Sequence, residues 1–101
     1  MAISLYTPQD VLTEVCQRFK ALRLASGLTQ EGLAMRSGVS LGSLKRFETN
    51  GQINFDSLLR LALVLGRLDD FHRFAETLAP PSQRTLDDFD EGPPPRRGRR
   101  T

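Results

Sequence analysis

Two cations stand side by side, Lys45 and Arg46, within the stretch Gly38-Val39-Ser40-Leu41-Gly42-Ser43-Leu44-Lys45-Arg46-Phe47-Glu48-Thr49-Asn50. Leu44 and Phe47 recur at helical spacing, so one face of this stretch suits burial and the opposite face carries the cations. An arginine fork can donate two bonds to O6 and N7 of one guanine, a contact worth about 1–3 kcal/mol of discrimination. Leu41 can make only apolar contact, most naturally with a thymine methyl. Ser40 is a good N-cap, because its hydroxyl can accept from an unpaired N–H of the first turn. The second helical position is Gly42, which costs about 1 kcal/mol relative to alanine inside a helix. What it gives in return is a missing side chain, and so room for another surface to come close. The plain alternative is an amphipathic surface helix whose cations are solvated.

Other chemistry finds little support. His72 is the single histidine and Cys16 the single cysteine. Cys16 falls on an apolar stripe and suits core packing, while His72 suits a surface or an interface. There is no cluster spaced for a metal, no glycine-rich phosphate loop and no nucleophile–base pair, so neither an enzyme nor a cofactor is expected. One cysteine excludes an internal disulfide. No signal-peptide pattern and no apolar run near 20 residues is present, which points to the cytosol of a simple cell.

The formal charge is +2 over 101 residues, but its distribution is uneven. Residues 18–67 hold Arg18, Lys20, Arg23, Arg36, Lys45, Arg46, Arg60 and Arg67 against Glu31, Glu48 and Asp56, a balance of +5. The flanking segments hold Asp10, Glu14, Asp69, Asp70 and Glu76 against Arg73. A basic middle between acidic ends suits an anionic polymer docking on one side, although a solvated mixed surface would look similar.

The elements that must position these residues are all helical, and the chain is long enough for one small core. Thr7, Pro8 and Asp10 make a capping box with proline at the first helical position, with Tyr6 and Val11 placed as a hydrophobic staple. Val11, Leu12, Val15, Cys16, Phe19 and Leu22 then form the buried stripe of a first helix ended by Gly27. Thr29 caps a second helix that runs to about Ser37 and stops at Gly38. The third runs from Leu41 to about Thr49, followed by an Asn50-Gly51 turn. Asn54 caps a fourth, Phe55 to Leu65, apolar nearly all round and therefore expected to pack on two faces. A fifth, about Asp69 to Leu78, presents Phe71, Phe74, Ala75 and Leu78 before Pro80-Pro81 stops it. From Ser82 the composition turns to Pro, Gly and charge, a flexible tail expected to be disordered when alone.

The spacing of Thr29-Gln30-Glu31-Gly32-Leu33-Ala34, Ser37-Gly38-Val39-Ser40, Leu44, Phe47-Glu48 and Gly51 resembles the helix-turn-helix of the phage-repressor/Xre family. The resemblance covers about residues 13–66. It implies an all-α, five-helix lambda-repressor-like domain over residues 1–81, for DNA binding and dimerisation, with the tail at 82–101. In such proteins the third helix enters the major groove and the second crosses the DNA backbone. The resemblance then implies base-facing roles for Leu41, Gly42, Lys45 and Arg46, with Ser43 near the bases or backbone. Gln30, Ser40 and Asn50 would face phosphates, and Arg23 with Glu48 would form a partly buried structural ion pair between the first and third helices. The helix N-termini at Thr29 and Ser40 independently offer N–H groups to phosphates. One short helix buries too little to be selective, so a homodimer on two half-sites is expected, with Leu59, Leu63, Phe71, Phe74 and Leu78 as interface candidates. An ordinary monomer core would use the same stripe.

The layout of GLTQEGLAMRSGVS, NFDSLLRLALVLGRLDDF and a proline-rich tail ending in arginines is similar to HipB antitoxins, encoded beside HipA-like kinase toxins. That similarity implies an autorepressor of double-stranded operator DNA that also helps to hold a kinase inactive. Leu86 and Phe89, in an acidic block, are then candidates for contact with the partner. Arg96, Arg97, Arg99 and Arg100 could add phosphate contacts, or the tail could be a solubilising linker. Two other readings stay open: a phage or restriction-modification regulator without a toxin, and a protein-interaction module that reuses the fold.

Overall fold

Capping and glycine placement set the helices, in the order α1 (Pro8–Ala25), α2 (Gln30–Ser37), α3 (Leu41–Asn50), α4 (Phe55–Val64) and α5 (Leu68–Thr77). The computed structural model describes residues 5–78 and 80. The chain divides into two units, Met1–Asp69 and Asp70–Thr101. Among the described residues there is no strand, and no helix is long and apolar enough to cross a membrane. The expected tail, with Leu86, Phe89 and the terminal arginines, lies outside the described residues.

The N-termini of α1 to α4 are each closed by their own capping residue. Thr7 Oγ1 accepts from the Asp10 N–H at 3.0 Å, and Asp10 Oδ2 accepts from the Thr7 N–H at 3.0 Å, so the capping box is complete. Thr29, Ser40 and Asn54 accept in turn from Gly32, Ser43 and Ser57. Each such cap contributes about 1 kcal/mol. The staple expected of Tyr6 and Val11 leaves both side chains exposed, Val11 by 48%. Val11 and half-buried Leu12 line an open groove with Phe47, Ile53 and Leu58, so this end of the α1 stripe is only partly covered.

The core lies where α1 packs on α3, and where α2 packs on α3 and α4. Phe19 of α1 meets Phe47 of α3 edge to face, centroids 5.7 Å apart and rings at 80°, the arrangement favoured by the ring quadrupole. Leu33, Leu44, Phe47 and Leu61 are the most deeply buried large side chains. Burial of each contributes about 1.5–3 kcal/mol relative to exposure. The second apolar face expected of α4 is exposed in the single chain. Leu61 and Ala62 are fully buried, while Phe55 and Leu63 are 61% and 64% exposed. A ten-residue helix against one layer buries one stripe and leaves the far side to solvent.

Gly51 fixes where α3 ends relative to α1. Its φ is +82° and its N–H donates to the Phe47 carbonyl at 2.7 Å, ending the helix one residue later than the expected Asn50-Gly51 turn. A Cβ at this position would overlap Leu12 Cδ2 and sit 3.2 Å from the Leu12 carbonyl oxygen. Gly27 has a similar φ of +73°, but a Cβ there meets nothing within 4 Å. Gly27→Ala should therefore cost only the left-handed backbone penalty, about 1–2 kcal/mol. Gly51→Ala should add about 1–3 kcal/mol more from overpacking, visible as the larger fall in urea midpoint.

Candidate nucleic-acid interface

The turn between α2 and α3 is three residues long, Gly38 to Ser40, and each has a separate task. Gly38 takes φ +79° and ends α2, its N–H donating to the Ala34 carbonyl at 3.0 Å. Val39 is only 4% exposed and plugs the turn into the core. Its N–H donates to Ser37 Oγ at 3.1 Å. Ser40 opens α3. Sequence spacing marks Gly38 and Ser40 as punctuation, but the burial of Val39 was not foreseen; an apolar residue in so short a turn was the available signal.

On α3 the two faces separate cleanly. Leu44 and Phe47 are each 1% exposed and face the core, while Gly42, Lys45 and Arg46 are exposed and Leu41 and Ser43 are half-buried. Neither Lys45 nor Arg46 has an ion-pair partner among the described residues. The Ser40 hydroxyl has its hydrogen committed: it accepts from the Ser43 N–H at 3.1 Å and donates to Ser43 Oγ at 2.9 Å. The outward donor of this pair is therefore the Ser43 hydroxyl. At the far end of the helix, exposed Asn50 accepts from the Gln52 N–H through Oδ1 at 2.9 Å, which leaves its amide NH2 pointing to other acceptors.

Arg23 and Glu48 meet in a two-pronged bond, Nε to Oε2 at 2.7 Å and Nη2 to Oε1 at 3.1 Å, with side chains 8% and 4% exposed. Arg23 Nη1 also donates to the Leu28 carbonyl at 2.8 Å. Gln30 Nε2 donates to Glu48 Oε1 at 2.9 Å. This last bond was not anticipated: Gln30, expected at a phosphate, already has one donor committed inward and is half-buried. One amide hydrogen and the carbonyl oxygen remain for other contacts. The cluster joins the last turn of α1, the turn before α2, the first residue of α2 and the C-terminal half of α3.

The remaining candidates stand apart from this surface. Cys16 is buried, its Sγ donating to the Thr13 carbonyl at 3.4 Å. His72 is exposed beside Glu76 at 3.5 Å. Of the interface candidates, Leu63 on α4 is exposed and Leu59 half-buried. On α5, Phe71 is half-buried and Phe74 exposed, and Leu78 in the turn after it is exposed.

A helix-turn-helix family model matches residues 19–71, more than half of the 101. It spans the last two turns of α1, all of α2 to α4, and the opening of α5. No curated protein and no solved structure gives a significant match. The matched family is one of DNA-binding regulators, not of enzymes.

Removing one partner of a buried ion pair strands the other charge and costs about 3–5 kcal/mol. Glu48→Ala should therefore destabilise the fold by that amount in urea denaturation. The paired change Arg23→Met with Glu48→Leu should cost far less, because it removes both charges and keeps apolar volume. Equal losses for the single and double variants would show that the pair is not the source of the stability.

Proposed function

The chain belongs to the helix-turn-helix family and is a DNA-binding transcription regulator; we propose that α3 is its reading helix and that it acts as a homodimeric repressor of its own operon. The observation that carries the reading is the polarity of α3. Leu44 and Phe47 anchor one face, and Lys45 and Arg46 project from the other without partners among the described residues. An exposed, uncommitted arginine beside a lysine is what bidentate recognition of guanine needs. Ser43 and Asn50 place polar hydrogens near either end of the helix, suited to phosphates that fix register. The exposed cations on the face opposite the anchor argue against the interaction-module alternative.

Dimerisation follows from the small reach of one ten-residue helix. Exposed Leu63 in the first unit and, separately, exposed Phe74 and Leu78 in the second are apolar side chains that support contact between copies. Two half-sites about one helical turn of DNA apart would then be read together. The finer assignment is that of a HipB-like antitoxin with a HipA-like kinase as partner. It rests on the resemblance in layout, including the acidic block with Leu86 and Phe89 and the arginine-rich end.

Selection from a randomised duplex pool, followed by footprinting, tests the DNA reading. The wild-type protein should protect two half-sites, and its affinity should fall steeply with salt. Arg46→Ala should lose about 1–3 kcal/mol at one base pair per half-site and relax the preference there. Unchanged selectivity would remove Arg46 from the reading surface, and protection of one half-site would remove the dimer.

The toxin assignment is tested separately. A chain ending at Pro81 should lose binding to the HipA-like kinase of the adjoining gene in calorimetry, while keeping its operator affinity. Full kinase binding by the shortened chain would rule out the tail as the contact, and absence of such a gene would favour the phage or restriction-modification reading.

A further inference from the structure

Every described glycine but one has a local reason to be glycine. Gly27, Gly38, Gly51 and Gly66 all have φ between +73° and +82°, a region that favours glycine. Gly32 is helical, but a Cβ on it would lie 3.2 Å from Thr29 Oγ1, the hydroxyl that caps α2, and 3.7 Å from Leu28 Cδ2. Gly42 has neither excuse. It sits at the second position of α3, its φ is not in the left-handed region, and a Cβ there meets nothing within 4 Å. Within this protein an alanine at 42 would fit freely and would favour the helix. The glycine therefore costs stability and receives nothing for it from the described residues.

Its position says what it faces. Residues three and four apart share a helix face, so Gly42 lies one turn before Lys45 and Arg46. Helical side chains lean toward the N-terminus, so both cations cover the surface around the Gly42 backbone. The bare Cα thus lies at the N-terminal end of the outward patch, beside half-buried Leu41 and one turn before the two cations. We propose that Gly42 is a specificity-determining residue: its bare backbone is where the first turn of α3 rests against a base edge, and any side chain there holds the helix out of the groove. This rests on α3 being the reading helix. It adds that selectivity at one base step comes from close apposition, which lets Arg46 and Lys45 reach their acceptors, and not from a hydrogen bond made by residue 42.

The test sets two readouts against each other, using the full chain with Gly42→Ala. Heat denaturation should show a higher midpoint, by roughly 2–8 °C, because alanine is the better helix former and has open space. Affinity for the duplex selected by the wild-type protein should fall about tenfold or more, the scale of one lost base contact. Affinity for a random duplex of the same length should stay within about twofold, since phosphate attraction does not need the close fit. A lower midpoint would mean that Gly42 serves the fold, and would overturn the proposal. So would unchanged affinity for the selected duplex, or an equal loss on both duplexes, while leaving α3 as the reading helix. A wild-type protein that enriches no duplex would instead overturn the reading-helix assignment, and this inference with it.

Discussion

The bidentate bond between Arg23 and Glu48 is the constraint on which the geometry of α3 depends. Planar guanidinium against planar carboxylate defines an orientation as well as a distance, which a lysine could not supply. Arg23 sits in the last turn of α1 and Glu48 on α3, so the bond sets both the separation and the roll of the two helices. Its remaining valences are used to brace the surroundings. One donor of Arg23 holds the Leu28 carbonyl, and Glu48 accepts a third bond from Gln30. A charge pair this deeply buried is tolerated because its polar atoms find partners; left half-satisfied it would be worse than apolar packing.

Orientation matters because α3 has so few residues with which to read. Glu48 follows Phe47 directly, so the ion pair and the aromatic contact with Phe19 act on adjacent sides of the same turn. Together they prevent both sliding and rolling. A helix turns by about 100° per residue, so a roll of that size would replace Lys45 and Arg46 on the outward face by their neighbours, and a smaller one would already turn their donors aside. The buried anchor is therefore what converts a helical sequence into a fixed array of outward donors. At the other end, Gly51 closes onto Leu12 without a side chain between them and sets how near the end of α3 comes to α1.

What the sequence makes legible is local. Thr7, Thr29, Ser40 and Asn54 cap the helices they were expected to cap, because an N-cap depends on a residue and its next three neighbours. The division of α3 into Leu44 and Phe47 inward and Lys45 and Arg46 outward is legible for the same reason. Burial set by remote elements was less so. Val11 continues the stripe of α1 by periodicity yet is 48% exposed, because periodicity gives a face but not the extent of the partner. Val39 shows the converse, a turn residue buried by helices on either side of it. Gln30 illustrates the limit for the site: a glutamine at a helix start is suited equally to a phosphate or to a carboxylate 18 residues away, and only the fold brings Glu48 within 2.9 Å.

Residues that weaken a small domain carry information in proportion to its narrow margin of stability. Net stabilities of such domains are about 5–15 kcal/mol, so a cost near 1 kcal/mol is a sizeable fraction. At most positions here a costly choice is explained within the chain. The buried charge of Glu48 is satisfied three times over, and the glycine at 51 is demanded by both backbone and neighbour. Among the described residues Gly42 lacks any such account, and it falls at the N-terminal end of the helix face that the anchor of Arg23, Phe47 and Leu44 turns outward. The anchored face and the unexplained glycine are independent observations, one from packing and one from empty space. They converge on the same few square ångströms of α3 as the place where a second surface completes the structure.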